Sequence, residues 1–131
     1  TDGADHLAGQ GGDDRIFGNG GPDDLDGGDG NDEIRGGAGD DRIFGRGGDD
    51  RLYGEDGDDE ITGDRGDDTI FGGNGNDHIT GGFDRDRIDA GPGDDIINAK
   101  DGVAEVIDCG PGLDRVARDR GDRVLNCEVL E

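Results

Sequence analysis

The chain contains no serine, no methionine and no tryptophan, and only two cysteines and three prolines among 131 residues. Without serine there is no serine nucleophile, and neither His6 nor His78 stands in the H-E-x-x-H pattern of zinc proteases. Basic residues are scarce: 13 Lys and Arg face 36 Asp and Glu, a formal net charge of −23. That balance excludes the basic surface that nucleic-acid binding demands. Apolar residues make up 27% of the chain, and no run of them approaches the length needed to span a membrane. So little apolar content with so much like charge is ordinarily the composition of a disordered chain. A repeat array escapes that expectation, because stacked units share a narrow core that needs few residues.

What the chain has in abundance is glycine, 31 residues, and aspartate in strict register. Stepping by nine, an Asp recurs at Asp5, Asp14, Asp23, Asp32, Asp41, Asp50, Asp59, Asp68, Asp77, Asp86 and Asp95. Two residues after each stands a lone aliphatic, from Leu7 and Ile16 through Ile88 and Ile97. Gly27–Arg35, GGDGNDEIR, followed by Gly36–Phe44, GGAGDDRIF, shows the unit. Its second position holds Gly28, Gly37, Gly73, Gly82 and Gly91, but also Asn19, Arg46, Glu55 and Asp64, which marks a preference for a left-handed backbone. Its last three residues place one aliphatic between two mostly polar neighbours, the pattern of a short half-buried strand. Each nonapeptide therefore reads as a glycine-rich turn, a carboxylate and a three-residue strand.

The pattern G-G-x-G-x-D-x-U-x, with U aliphatic, resembles the RTX or haemolysin-type calcium-binding repeat. The resemblance covers residues 1–98 without a slip and continues more loosely to about residue 117. It implies an all-β fold, a right-handed parallel β-roll or β-solenoid with two nonapeptides per turn. It also implies Ca²⁺ held between turns by the Asp carboxylates and by backbone carbonyls of the second and fourth positions. Those carbonyls belong to Gly12, Asn19, Gly21, Gly28, Gly30, Gly37, Gly39, Arg46, Gly48, Glu55, Gly57, Asp64, Gly66, Gly73, Gly75, Gly91 and Gly93. Oxygen-only ligands suit a hard cation, and flexible multi-oxygen loops favour calcium over magnesium. Pairing aspartates 18 apart gives about nine sites, so filling them shifts the charge from −23 to roughly −5. The Asp or Asn that often precedes each ligand, such as Asp13, Asn31, Asp40 and Asp49, reads as support for the turn rather than as a ligand. Asp86 is the doubtful member of the ladder, because Asp84 and Arg85 replace the usual glycine and its polar neighbour.

With two units per turn, side chains 18 apart stack in columns. One inward column reads Leu7, Leu25, Ile43, Ile61, Ile79 and Ile97; the other reads Ile16, Ile34, Leu52, Ile70, Ile88 and Val106. Outward on the second sheet stand Phe17, Arg35, Tyr53 and Phe71, a possible ligand surface with Arg35 stacked among rings. Beside it a charged column reads Arg15, Glu33, Arg51, Thr69, Arg87 and Glu105. His6 and His78 lie four turns apart, too far to share a metal. The pattern decays from residue 90, where Ala90 and then Ala99 replace first glycines and Ala104 the aspartate, and residues 99–131 read as an atypical cap over the open core. Cys109 and Cys127, 18 apart, would fall on neighbouring turns and form a disulfide.

These readings point to a calcium-dependent binding and folding module, not an enzyme. Its partners are calcium ions, with neither nucleic acid nor a transmembrane segment. The resemblance suggests a secreted, extracellular setting, and the chain opens partway through a unit, as a segment of a longer protein would. A rival reading is an adhesion or ligand-recognition module that uses the aromatic column, with calcium only structural.

Overall fold

An aliphatic flanked by polar residues becomes a strand whose middle side chain turns inward, and each such strand here finds its partner 18 residues away. The computed structural model describes residues 3–130, with the backbone alone for Val129 and Leu130; Thr1, Asp2 and Glu131 lie outside the described residues. The strands are β1 (His6–Ala8), β2 (Arg15–Gly20), β3 (Asp24–Asp29), β4 (Glu33–Ala38), β5 (Arg42–Gly47), β6 (Arg51–Asp56), β7 (Glu60–Arg65) and β8 (Thr69–Asn74). They continue as β9 (His78–Phe83), β10 (Arg87–Asp89), β11 (Ile96–Ala99), β12 (Val106–Asp108), β13 (Arg115–Arg118), β14 (Arg123–Leu125) and β15 (Val129–Leu130). Odd-numbered strands form one eight-stranded sheet and even-numbered strands a seven-stranded sheet, every pairing parallel. The chain thus crosses from sheet to sheet at each glycine turn, a β-solenoid of the β-roll type.

In the regular array β2 to β9 each run six residues, not three. The first three residues of the next unit prolong each strand, because glycine at their head continues the parallel ladder. At the open end the same bond is visible as Gly9 N–H donating to Asp26 O at 2.8 Å. The aliphatic and the following first-position glycine are both buried, giving alternation over four residues. Leu25, Ile34, Ile43, Leu52, Ile61, Ile70 and Ile79 are wholly buried, and Leu7 packs against them from the end.

The winding continues past residue 98, but its register corrects the expectation there. Arg87 pairs with Val106 and Ile88 with Ile107, a step of 19. The extra residue therefore lies before Glu105, in the turn after Ala99. Ile107, not Val106, enters the core, and Val106 is 38% exposed. Glu105 leaves the outward column and takes the buried aspartate position, so Ala104 is not the residue that replaces the aspartate. Val116 and Val124 extend the two inward columns. Cys109 and Cys127 are joined by a disulfide with Cα atoms 5.1 Å apart.

Candidate metal centre

The turns place every sixth-position aspartate with its side chain inward. Asp23, Asp32, Asp41, Asp50, Asp59, Asp68, Asp77, Asp86 and Asp95 are each at most 3% exposed, while Asp5 and Asp14 at the open end are half-buried. From Asp23 through Asp95 each carboxylate works in two halves. Its Oδ1 accepts a hydrogen bond from the backbone N–H of the aspartate one turn earlier: Asp5 to Asp23 at 2.7 Å, Asp32 to Asp50 at 2.7 Å, Asp68 to Asp86 at 2.9 Å and Asp77 to Asp95 at 2.7 Å. Its Oδ2 is buried and has no protein partner, from Asp14 through Asp95 and again at Asp114. A buried carboxylate oxygen without a partner is costly, and a column of them on each edge asks for cations.

Electrostatics states the same demand. Burial, opposed by the backbone N–H bond and reinforced by neighbouring aspartates, pushes Asp50 and Asp77 up to about 6. The same causes push Asp59, Asp86 and Asp95 to about 7 and Asp68 to about 8. A bound cation supplies the opposite charge that keeps such carboxylates ionised.

The backbone supplies the remaining oxygens. Second and fourth positions lie in the left-handed region throughout, including Asn19 (φ 77°), Arg46 (φ 81°), Glu55 (φ 80°) and Asp64 (φ 83°). Their carbonyls point along the stack: a Cβ on Gly28 would collide with the Gln10 oxygen, and one on Gly30 with the Gly12 oxygen. Second-position carbonyls also serve the ladder, as Gln10 O does for Asp29 N–H at 2.8 Å. Among the described residues no three acidic, histidine or cysteine side chains converge on one point. Backbone carbonyls are therefore the further oxygen donors that these turns could offer a hard cation.

Sequence reasoning passed over the first position. A Cβ on Gly9 would lie 2.5 Å from Asp14 Oδ2 and 2.6 Å from Gly27 O; one on Gly45 would lie 2.5 Å from Asp50 Oδ2 and 2.8 Å from Gly63 O. The same two oxygens flank each first glycine up to Gly72. That glycine is needed for the missing Cβ rather than for an unusual φ, and the carbonyl one turn on joins the candidate donors. The signal was available: positions 9, 18, 27, 36, 45, 54, 63, 72 and 81 are glycine without exception, stricter than the second position.

The fifth-position residues form an outer ladder. Asn31 N–H donates to Asp13 Oδ1, Asp49 N–H to Asn31 Oδ1 and Asp67 N–H to Asp49 Oδ1, all within 2.9 Å. They brace the turns, as expected of them. Arg85 occupies this ladder, exposed, with its N–H on Asp67 Oδ1 at 2.9 Å. Asp86 meanwhile keeps the same buried, unpartnered Oδ2 as the other members.

The outward aromatic column is assembled as the register requires. Arg35 lies 4.3 Å above the Tyr53 ring, and Tyr53 stacks on Phe71 at 5.1 Å. Arg35 is held further by Glu33 at 3.0 Å and Glu55 at 3.2 Å, so both faces of Tyr53 are already covered. Phe17, beside Arg35 in register, is 45% exposed.

A protein-family model described as RTX calcium-binding nonapeptide repeat (4 copies) matches residues 1–34, 26–61, 35–70, 53–88 and 71–103. No curated protein and no solved structure matches the chain.

Proposed function

Because the chain belongs to the RTX calcium-binding nonapeptide-repeat family, we propose that it is a calcium-dependent β-roll module that folds on binding Ca²⁺ and serves as a structural part of a secreted bacterial protein. The observation that carries this reading is the column of buried Oδ2 atoms without protein partners on each edge. In the metal-loaded protein, Asp14, Asp23, Asp32, Asp41, Asp50, Asp59, Asp68, Asp77, Asp86 and Asp95, with Asp5 at the end, offer these oxygens. Carbonyls of the first, second and fourth positions complete about nine sites. Calcium supplies the positive charge that lets these carboxylates stay ionised while buried, and residues 99–131 close the end of the array.

The module binds and folds; it is not a catalyst. Its carboxylates are engaged in a regular ladder rather than arranged as an acid and base pair. The aromatic column supports a ligand-recognition role only weakly, because Arg35, Tyr53 and Phe71 satisfy one another.

Far-ultraviolet circular dichroism tests the proposal. In chelator at neutral pH the chain is expected to be largely disordered, since its inward aliphatics are few and its charge is −23. Added calcium should produce the β spectrum, and magnesium should do so poorly because it demands tight octahedral geometry. A β spectrum of full amplitude in chelator at neutral pH would overturn it.

A further inference from the structure

The two sulfurs of the bridge between Cys109 and Cys127 stand in unequal surroundings. Cys109 follows β12 at the first position of its unit, a position buried throughout the array, and it lies wholly within the aliphatic core. Its backbone is fixed on the neighbouring strand, N–H to Leu125 O at 3.0 Å. Cys127 packs against that core from outside and is only half-buried. It follows Asn126, an exposed residue in the left-handed region (φ 54°), where β14 has already ended. A cavity of about 630 Å³ opens beside it, lined by Gly110, Pro111, Asn126, Cys127 and Glu128. Among the described residues Cys109 is not part of that wall. Asp108 holds both sides of the opening: its Oδ1 accepts Gly110 N–H at 3.2 Å and Asn126 Nδ2 at 2.9 Å.

A disulfide opens when a thiolate attacks one sulfur and the other departs with the bonding electrons. Two preferences compete here. Leaving-group stability favours attack on Cys109, because burial disfavours a thiolate departing from that residue. Access favours attack on Cys127, the sulfur that borders the cavity. A core residue with no exposed surface offers an attacker no approach while the turn is folded. A departing thiolate in the core slows the step without forbidding it. Access therefore decides.

We propose that Cys127 is a thiol-exchange site, where a small-molecule thiol such as glutathione enters the cavity and forms a mixed disulfide. The attacking sulfur bonds to Cys127 Sγ, the bond to Cys109 breaks, and its electron pair leaves on Cys109 Sγ, which takes a proton from solvent. One disulfide replaces another, so no further oxidant or reductant is required. Cys109 stays in the core beside the new bond and reverses the step, so the bridge recloses once the free thiol is removed. The last two strands of the seven-stranded sheet are thereby latched or released by the thiol concentration around the chain. The place of attack rests on burial and the cavity; its loss when calcium is withdrawn rests on the calcium-dependent folding proposed above.

Glutathione added to the oxidised full chain, in saturating calcium and in chelator, tests the assignment after an acid quench and alkylation. Arg115, Arg118, Arg120 and Arg123 lie between the two cysteines, so tryptic peptides separate them for mass mapping. In calcium, glutathione is expected on Cys127 and the alkyl group on Cys109, exceeding the reverse by roughly tenfold or more. In chelator the two cysteines should be labelled about equally. Single variants give a second measure that reclosure cannot erase. With oxidised glutathione in calcium, Cys109→Ser, which keeps Cys127, should react roughly tenfold or more faster than Cys127→Ser. Equal labelling in calcium overturns the site, and so does a Cys127→Ser chain that reacts as fast as Cys109→Ser. If no adduct survives the quench, the two variants alone decide. A preference for Cys127 that is equally strong in chelator supports the site and defeats calcium-dependent folding, whereas equal labelling in a chain that calcium does fold defeats the site alone.

Discussion

At the scale of single residues, the division of labour within each aspartate makes opposite substitutions separable. Asp50 Oδ1 accepts Asp32 N–H at 2.7 Å, and Oδ2 is the unpartnered atom. Asp50→Asn retains the acceptor and removes a charge that burial disfavours, so in chelator it should fold at least as well as wild type. In calcium it should need more metal, and Asp50→Ala, which also abandons the Asp32 N–H, should be the worse of the two. Calcium titrations followed by circular dichroism check both, and an Asn variant with a wild-type midpoint would remove Oδ2 from the ligand set. First-position glycine gives the second residue-scale outcome. Gly45→Ala drives a methyl into Asp50 Oδ2 and Gly63 O and should cost about 1–3 kcal/mol. Gly47→Ala, whose nearest neighbour is Asp29 Oδ1 at 3.5 Å, should stay within about 0.5 kcal/mol. Denaturant unfolding in saturating calcium measures the difference. The aspartates, the inward aliphatics and the left-handed second position were all legible in the sequence, because each repeats at a fixed residue. The requirement at the first position was harder to see, because it is a contact between turns that no single unit contains.

At the scale of elements, a strand's register follows its aliphatic only while the spacing is constant. From β1 to β11 the step of 18 holds, and both sheets could be written down from the sequence. Across the turn 100–105 the step becomes 19 between Ile88 and Ile107. The sequence offers Val106 and Ile107 as adjacent candidates for one inward position, and periodicity alone prefers the wrong one. Burial of Ile107 and pairing on both sides settle the choice, and they carry Glu105 inward as a consequence. The disulfide survived this shift, because the following step contracts to 17 between Val106 and Arg123 yet returns to 18 between Cys109 and Cys127. Cys109 follows β12 and donates its N–H to Leu125 O at 3.0 Å, so the bridge ties the last two strands of the seven-stranded sheet. Replacing both cysteines by serine should destabilise this end by on the order of 3 kcal/mol. Stacked repeats contact only their neighbours, so the loss should stay local. Hydrogen exchange should quicken in β12 and β14 and remain unchanged in β4 to β7; equal quickening along the whole array would contradict a locally coupled solenoid.

At the scale of the whole molecule, the two columns of buried carboxylates make protons and calcium alternative partners for the same oxygens. In the folded, metal-free chain burial raises the aspartates, to about 6 at Asp50, about 7 at Asp59 and about 8 at Asp68. In the unfolded chain they return to about 3.9. Between those limits the folded state binds more protons than the unfolded one, so metal-free stability rises as pH falls from about 8 toward about 4. The sign is the reverse of that for a salt-bridged carboxylate, whose stability is lost in acid. Acidification also reduces the net charge of −23 and with it the repulsion between turns. With calcium present the direction inverts, because a protonated carboxyl is a poor ligand and metal binding must release the proton. Two titrations over the same range should therefore run in opposite senses. In chelator, the β signal should grow between pH 8 and pH 5; in limiting calcium, the calcium midpoint should move to higher concentration over the same interval. Circular dichroism in both media, held above the isoelectric point near 4.1, makes the comparison. A chelated chain equally disordered at pH 8 and pH 5 would mean that protonation of the buried columns cannot stand in for the metal, and that the shape of the turns, not the charge alone, depends on calcium.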